Sequence, residues 1–565
     1  MTKIFFLLLS FSISSREKIL LLFFLCSLTT YAQTTYEPLY NEVYPFLSRI
    51  AQKGIIQLDD QIKPLSRKYI AEKLVQLDSL KNRLTDIEQE ELEFFKKDFY
   101  TEINFKKITD NNSKKISLLK KDRGGRFRFF SYGDNLFKIN ADPILGFQTG
   151  IRDSKLFNHY WSGLSFYGYL SDFIGFSFDY RDNYEAGKTL DPDRKFTPET
   201  GIVPITKSPN TLQYSEIHTT VSVDWKWGVF TAGKDFLEWG YGESGKLVLS
   251  NKAPSFPFIR LDIYPVPWLR FNYIHGWLSS NVIDSGNVYS TLVEGLTRLS
   301  YRSKYIASHT LTITPLKGLD ISLGESIIYS DKLRISYLMP LMFFKLADHY
   351  LSNYDNNYGD NAQFFAGISS RDHIKNTHLY GTLFIDEISL SNLLDHKPEH
   401  NQTGFTLGGS IVDIPVNNST FTVEYTKIYP FVYQHFIPTD TYENDSYFLG
   451  HWMGNNGDLI YSSLKYRPVR GFQISVWGQY IRKGVEFDPK YGWSPFIPPK
   501  LPYPGFLSGL KTDYLYGGLD IKYELINDLF ARFKFQTTKI KSEVPGGAFN
   551  TKSLNEFYLY FYFGL

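Results

Sequence analysis

From Arg126 to Leu565 apolar and polar side chains alternate, the period of a β-strand with two unlike faces. In the last segment Phe557, Leu559, Phe561, Phe563 and Leu565 share one face, and Tyr558, Tyr560 and Tyr562 share the other. Upstream, Leu529, Ala531, Phe533 and Phe535 oppose Arg532, Lys534 and Gln536. Leu515, Leu519 and Ile521 oppose Tyr516, Asp520 and Lys522. Phe472, Ile474 and Val476 oppose Gln473, Ser475 and Gln479, with Trp477 on the polar side. Residues 34–124 follow a helical period instead. Leu39, Val43, Phe46, Leu47, Ile50 and Ala51 mark a first helix, with Gly54 as its C-cap. Ile62 to Arg67 opens a second, with Pro64 in its first turn and Ile70, Leu74 and Leu77 as its buried stripe. A third runs from Glu88 to about Tyr100 with Leu92, Phe95 and Phe99 on one side. Lys114, Lys115, Lys120, Lys121 and Arg123 read as a basic linker that ends at Gly124 and Gly125.

Alternation has two physical solutions: a soluble sandwich with its apolar faces inward, or an outer-membrane barrel with them toward lipid. The connections favour the barrel. Short turns at 315–318, 416–419, 467–471 and 526–528 are interleaved with long polar or Pro/Gly-rich stretches at about 184–210, 235–256, 430–457 and 483–512. Residues 1–33 read as an export signal: Arg16 and Lys18, then the apolar run 19–25, then small residues around Ala32. After residue 33 no apolar run is long enough for a membrane-crossing helix. The expectation is a signal peptide over 1–33, a periplasmic helical bundle and basic linker over 34–124, and a large antiparallel transmembrane β-barrel over 125–565. That barrel has about 18 strands, each needing ~9–11 residues to cross the outer membrane at a tilt.

Composition narrows the function. The net charge of +2 removes the electrostatic case for a nucleic-acid partner. The one cysteine, Cys26, lies in the export signal, so the exported chain has no disulfide or thiol chemistry. Aromatic residues make up 17% of the chain, a level that membrane girdles and sugar-stacking faces both call for.

Candidate chemistry is sparse. His396 and His400 have a metal-like spacing, but Pro398 between them breaks the helix that would aim both rings at one ion. Asp386 and Glu387 adjoin on a strand and point to opposite faces. His275 and Ser279 would need to meet for a lipid hydrolase, and the surrounding pattern is not that of such enzymes. No catalytic residue, metal site or cofactor is expected. Two aromatic and polar loop segments fit a carbohydrate. The first carries Lys234, Asp235, Glu238, Trp239, Tyr241 and Asn251, and the second His451 and Trp452. Rings beside carboxylates and amides suit the CH faces and hydroxyls of sugars. The same residues would also fill the mouth of a barrel.

In Phe46-Leu47-Ser48-Arg49 to Gly54 with Pro64-Leu65-Ser66-Arg67, and in Gly233-Lys234, Trp239-Gly240 and Leu249 to Pro254, the chain resembles the capsule assembly Wzi family. The resemblance is one of motifs in a fixed order along the chain. It continues in Tyr337-Leu338-Met339-Pro340-Leu341 with His349, and in Leu379-Tyr380-Gly381 with Ile385 to Ile388, where Glu387 stands at a position more often Asp. It implies an 18-stranded outer-membrane barrel over a periplasmic helical bundle, and a non-enzymatic, lectin-like role in capsule assembly at the cell surface. The expected partners are capsular or other surface polysaccharide and outer-membrane lipid, with the protein a monomer. The opening helices also resemble an S-layer homology unit that some sugar-selective porins carry. The alternatives are therefore such a porin and, behind it, the lipid hydrolase.

Overall fold

A computed structural model describes residues 34–105, 115–171, 173–355, 359–387, 402–485 and 505–564. The export signal at 1–33 and the histidines His396 and His400 lie outside the described residues. Helix α1 (Val43–Gln52) ends at Gly54, whose φ of 64° is the left-handed cap expected of it. Helix α2 (Arg67–Asp78) starts later than the sequence suggests. Lys63 precedes a proline and so stays extended, and Ser66 becomes the N-cap, accepting from the Tyr69 amide. Helix α3 (Asp86–Asp98) opens with a reciprocal capping box between Thr85 and Glu88. Phe46, Leu47, Ile50, Ile70, Leu74, Leu77, Leu92, Phe95 and Phe99 form one buried cluster among them.

The stretch read as a basic linker is a strand. Lys115–Lys121 pairs antiparallel with Phe127–Gly133, and Asp122 turns the hairpin by accepting from the Gly124 and Arg126 amides at 2.8 and 3.1 Å. Lysines at both ends hid the alternation of Ile116, Leu118 and Lys120.

Eighteen antiparallel strands form a closed barrel. The first, Phe137–Arg152, pairs along its length with Lys155–Leu170. On its other edge, residues 138–141 carry the hairpin and residues 145–152 take the final strand, Phe549–Phe563, which closes the ring. Phe557, Leu559 and Phe561 are exposed on the outer wall, whereas Tyr558, Tyr560 and Tyr562 face the lumen. This is the barrel arrangement of the two faces, not the sandwich one.

Turns as short as 317–318 and 470–471 gather at one end, where the helices dock. Arg49 donates to Asp413 and to the Ser419 carbonyl, Lys68 lies 3.3 Å from Asp224, and Arg126 bridges Asp98 of α3 and Asp528 of a barrel turn. At the other end, among the described residues, lie three of the long connections foreseen from sequence, 184–210, 235–256 and 430–457, and further ones at 284–300 and 331–355. Residues 331–355 fold down outside the barrel and contain α4 (Phe344–Asp355).

Candidate functional site

Two long connections, 236–255 and 429–456, turn into the lumen. There they meet inward side chains of the wall, among them Ile274, Ile306, Ile328, Phe365, Phe384 and Ile428, in one apolar cluster. Trp239 is 1% exposed, its ring 6.1 Å from Phe365. Its strand, Glu238–Trp239, pairs antiparallel with Ile62–Lys63, so a segment rising from the helical end meets one descending from the mouth. Tyr433 stacks on Tyr442 at 5.5 Å, and both pack edge-on against Phe384. Trp452 donates its indole N–H to the Ser244 carbonyl at 2.6 Å.

The wall holds this plug through buried carboxylates. Glu424 accepts from the Glu243 and Ser244 amides, the latter at 2.7 Å, and from the Tyr380 hydroxyl. Asp386 accepts from the Tyr433 amide at 2.6 Å. On the rising segment, Asp60 takes the Arg371 guanidinium at 2.7 Å and the Tyr241 hydroxyl at 3.1 Å. Burial alone would raise the Asp60 carboxyl; Arg371 and Lys63 outweigh it and hold it at about 2. Burial, aided by Lys246 and Lys483, pushes His451 down to about 3, so its ring is neutral inside the plug.

The plug fills only part of the lumen. Between it and the wall built from the first strands and the last three lies a cavity of about 660 Å³. Its floor includes residues 37–42 with Arg67, Arg126 and Arg128, and its upper rim includes Asp191, Glu199 and Asn251. Along the closing strand Tyr558, Tyr560 and Tyr562 rise in steps of ~7 Å, the spacing of alternate residues, and all three line it. Trp161 lies 6.0 Å from Tyr562, and Tyr558 6.2 Å from Tyr560. Guanidinium–carboxylate pairs alternate with these rings: Arg532 with Asp520 at 2.9 Å, Arg181 with Glu216 at 3.1 Å, and Arg194 with Glu185, which also accepts from Tyr214 at 3.0 Å. Arg532 lies 5.5 Å over the Tyr560 ring. His218 is buried with Nδ1 2.8 Å from Asp179, and its Nε2 has no hydrogen-bond partner among the described residues. A wall of rings and pre-oriented donor–acceptor pairs offers stacking faces and bidentate hydrogen bonds to a hydroxyl-rich chain. Each of these guanidinium groups already has a carboxylate, so the wall does not select for an anion.

The structure divides the residues singled out from sequence. Asp235, Glu238 and Asn251 line the cavity, with Glu238 paired to Lys246 at 3.0 Å. Trp239, Tyr241, His451 and Trp452 are buried in the plug. Lys234 alternates with the inward Thr231 and Asp235, so it points outward, donating to the Ile217 carbonyl at 3.2 Å. The tyrosine row was visible as the hydroxyl face of the last strand. Only the closed ring shows that it looks into a cavity across from Trp161. His275 and Ser279 share one strand face four residues apart, a separation of ~13 Å. His275 is wholly buried with its Nε2 2.7 Å from the Tyr329 hydroxyl, and the Ser279 hydroxyl donates to Asn281, so the two do not meet.

Comparison with known proteins gives three findings. The family described as capsule assembly protein Wzi matches residues 158–480. No curated protein matches the chain. Among solved structures, the chain is similar to Wzi of Escherichia coli, described as an outer membrane protein involved in group 1 capsule assembly and a carbohydrate-binding β-barrel. The two share 13% identity at a TM-score of 0.55, over 94% of this chain and 100% of that one. OprD of Pseudomonas aeruginosa aligns with 12% identity and a TM-score of 0.39, over 76% of this chain and 95% of that one.

Proposed function

Because the chain belongs to the Wzi capsule assembly family, we propose that it is a non-enzymatic outer-membrane protein that binds capsular or other surface polysaccharide and assists its assembly and attachment. The observation that carries this reading is the lumen itself. It is blocked by a plug tied to the wall, and the space left over is lined by rings and paired charges. A sugar-selective porin needs a continuous aqueous path, and the plug and the helical floor lie across it. For the lipid hydrolase weighed from sequence His275 and Ser279 would have to meet, and they are separated. The polymer-contacting set is Tyr558, Tyr560, Tyr562, Trp161 and Arg532 within the cavity, with Asp235, Glu238 and Asn251 toward its rim. The protein acts as a monomer, with its helices in the periplasm after removal of the export signal.

The test is retention of the host's purified surface polysaccharide by detergent-solubilised protein, wild type against Tyr560→Ala. Loss of one stacking face is expected to weaken retention about tenfold, ~1.4 kcal/mol, while heat-modifiable gel mobility reports an intact barrel. Failure of the wild type to retain any surface glycan would overturn the reading.

A further inference from the structure

The outer wall of one barrel sector is not dressed for lipid. On the strands Leu269–Ile283, Tyr301–Leu316 and Leu319–Ser330, the outward positions include His275, His309 and Glu325. A carboxylate or imidazole facing hydrocarbon is costly. Residues 331–355 cover these groups. Glu325 caps α4 from the wall, accepting from the Phe344 and Lys345 amides at 2.8 and 2.6 Å. Tyr273 donates to the Tyr337 carbonyl at 2.8 Å, and the Phe344 ring lies 4.6 Å from His309. Phe344, Ala347 and Leu351, at i, i+3 and i+7, are the face of α4 that packs on the wall.

The opposite face of this strap is also apolar. Leu346 points away from the barrel, 65% exposed, and just before the helix Leu341 is 85% exposed, whereas the Phe343 ring lies 5.9 Å from Phe364 on the wall. A helix that is apolar on both faces is a buried helix, and nothing of this chain covers the second face among the described residues. Its height along the wall says what does. Counting up from the turn at 317–318, Pro315, Ile313 and Leu311 are exposed outward positions, and His309, Ala307 and Tyr305 come next beneath the strap. Each outward step climbs ~5 Å at the usual strand tilt. Pro315, Ile313 and Leu311 thus account for ~15 Å of an apolar band ~25 Å tall. The strap therefore begins inside that band and continues the lipid-facing surface of the barrel.

We infer that the strap formed by residues 331–355 is embedded in the outer leaflet, with Leu341, Leu346 and their neighbours in contact with lipid acyl chains. It replaces a polar sector of wall with an apolar one and pins a surface connection at leaflet depth. The inference needs the barrel to sit in a membrane but does not depend on what the lumen binds.

The test uses the mature chain, which begins after the export signal and carries no native cysteine, in phosphatidylcholine/phosphatidylglycerol nanodiscs. Single Leu341→Cys and Leu346→Cys variants carry a fluorophore, with Leu311→Cys as the lipid reference and Val293→Cys as the aqueous one. The expected result is severalfold stronger quenching by acyl-chain nitroxide lipid than by a water-soluble quencher, matching Leu311→Cys. Quenching from water as at Val293→Cys would overturn the inference. So would shielding from both quenchers, which would mean that a protein surface covers the strap.

Discussion

At the scale of single residues, the same chemistry serves two ends, and only position separates them. Trp239 and Trp452 have the composition of a sugar platform, yet both are core residues of the plug, so Trp239→Ala would loosen the plug before it told anything about binding. Tyr560 is the cleaner probe because its ring faces open cavity. His451 gives a pH prediction. Its folded value of about 3 lies below the ~6.5 of a free imidazole, so a released loop binds a proton that the seated loop does not. The His451 contribution to plug stability is therefore full above pH ~6.5 and falls as pH drops toward 3, by ~2 kcal/mol at pH 5. Asp440 of the same connection, pushed up to about 7 by burial, acts in the opposite sense, its contribution growing as pH falls from 7 toward the ~4 of a free carboxyl. Asp60 weakens the plug in acid in a lower window, from about 4 down to 2, that overlaps the end of the His451 window. Between pH 7 and 5, limited proteolysis of the 429–456 connection is expected to speed up more in the wild type than in His451→Gln, because His435 and Asp440 of the same connection titrate in both proteins. An identical pH dependence in the two would show that the His451 imidazole contributes nothing to it.

At the scale of elements, strands were the most legible part of the sequence. Alternation identified the greasy and polar faces of the last strands because lipid on one side and water on the other impose opposite demands on neighbouring residues. The helices were legible from their stripes, apart from the start of α2, where a proline two residues before the N-cap misled. The hairpin at 115–133 was hidden by lysines. The fate of the long connections was not legible at all. A loop turned into a lumen and a loop exposed at a mouth both carry glycine, aromatics and charge, and what decides between them is a distant partner. Glu424, on a strand far from 236–255 in sequence, is that partner. Glu424→Ala leaves the buried Ser244 amide without an acceptor, at ~1–3 kcal/mol, and frees the more exposed Glu243 amide. The loop is expected to unseat in the variant, seen as faster hydrogen exchange over 236–255 with strand protection unchanged. Exchange identical to the wild type would show that the apolar cluster alone holds it. The external strap escaped for the same reason: the motif Tyr337 to Leu341 was noticed, but Glu325, which seats the helix behind it, reads from sequence as an ordinary strand residue.

At the scale of the whole molecule, the barrel is a cylinder whose two ends are closed from different parts of the chain. The helices close the short-turn end through ion pairs with barrel turns, and the two inward connections close the other. The rising segment 55–65 joins them, pairing with the descending loop at Trp239. What is left is a one-sided cavity with a tyrosine row on the closing strand, a place to hold a chain. The account stands on that closure, and the current through single barrels in a planar lipid bilayer tests it most directly. Under applied voltage at high salt the wild type is expected to insert without steady conductance, whereas Glu424→Ala flickers open. A stable ohmic step from every wild-type insertion would contradict the account and make the protein a channel.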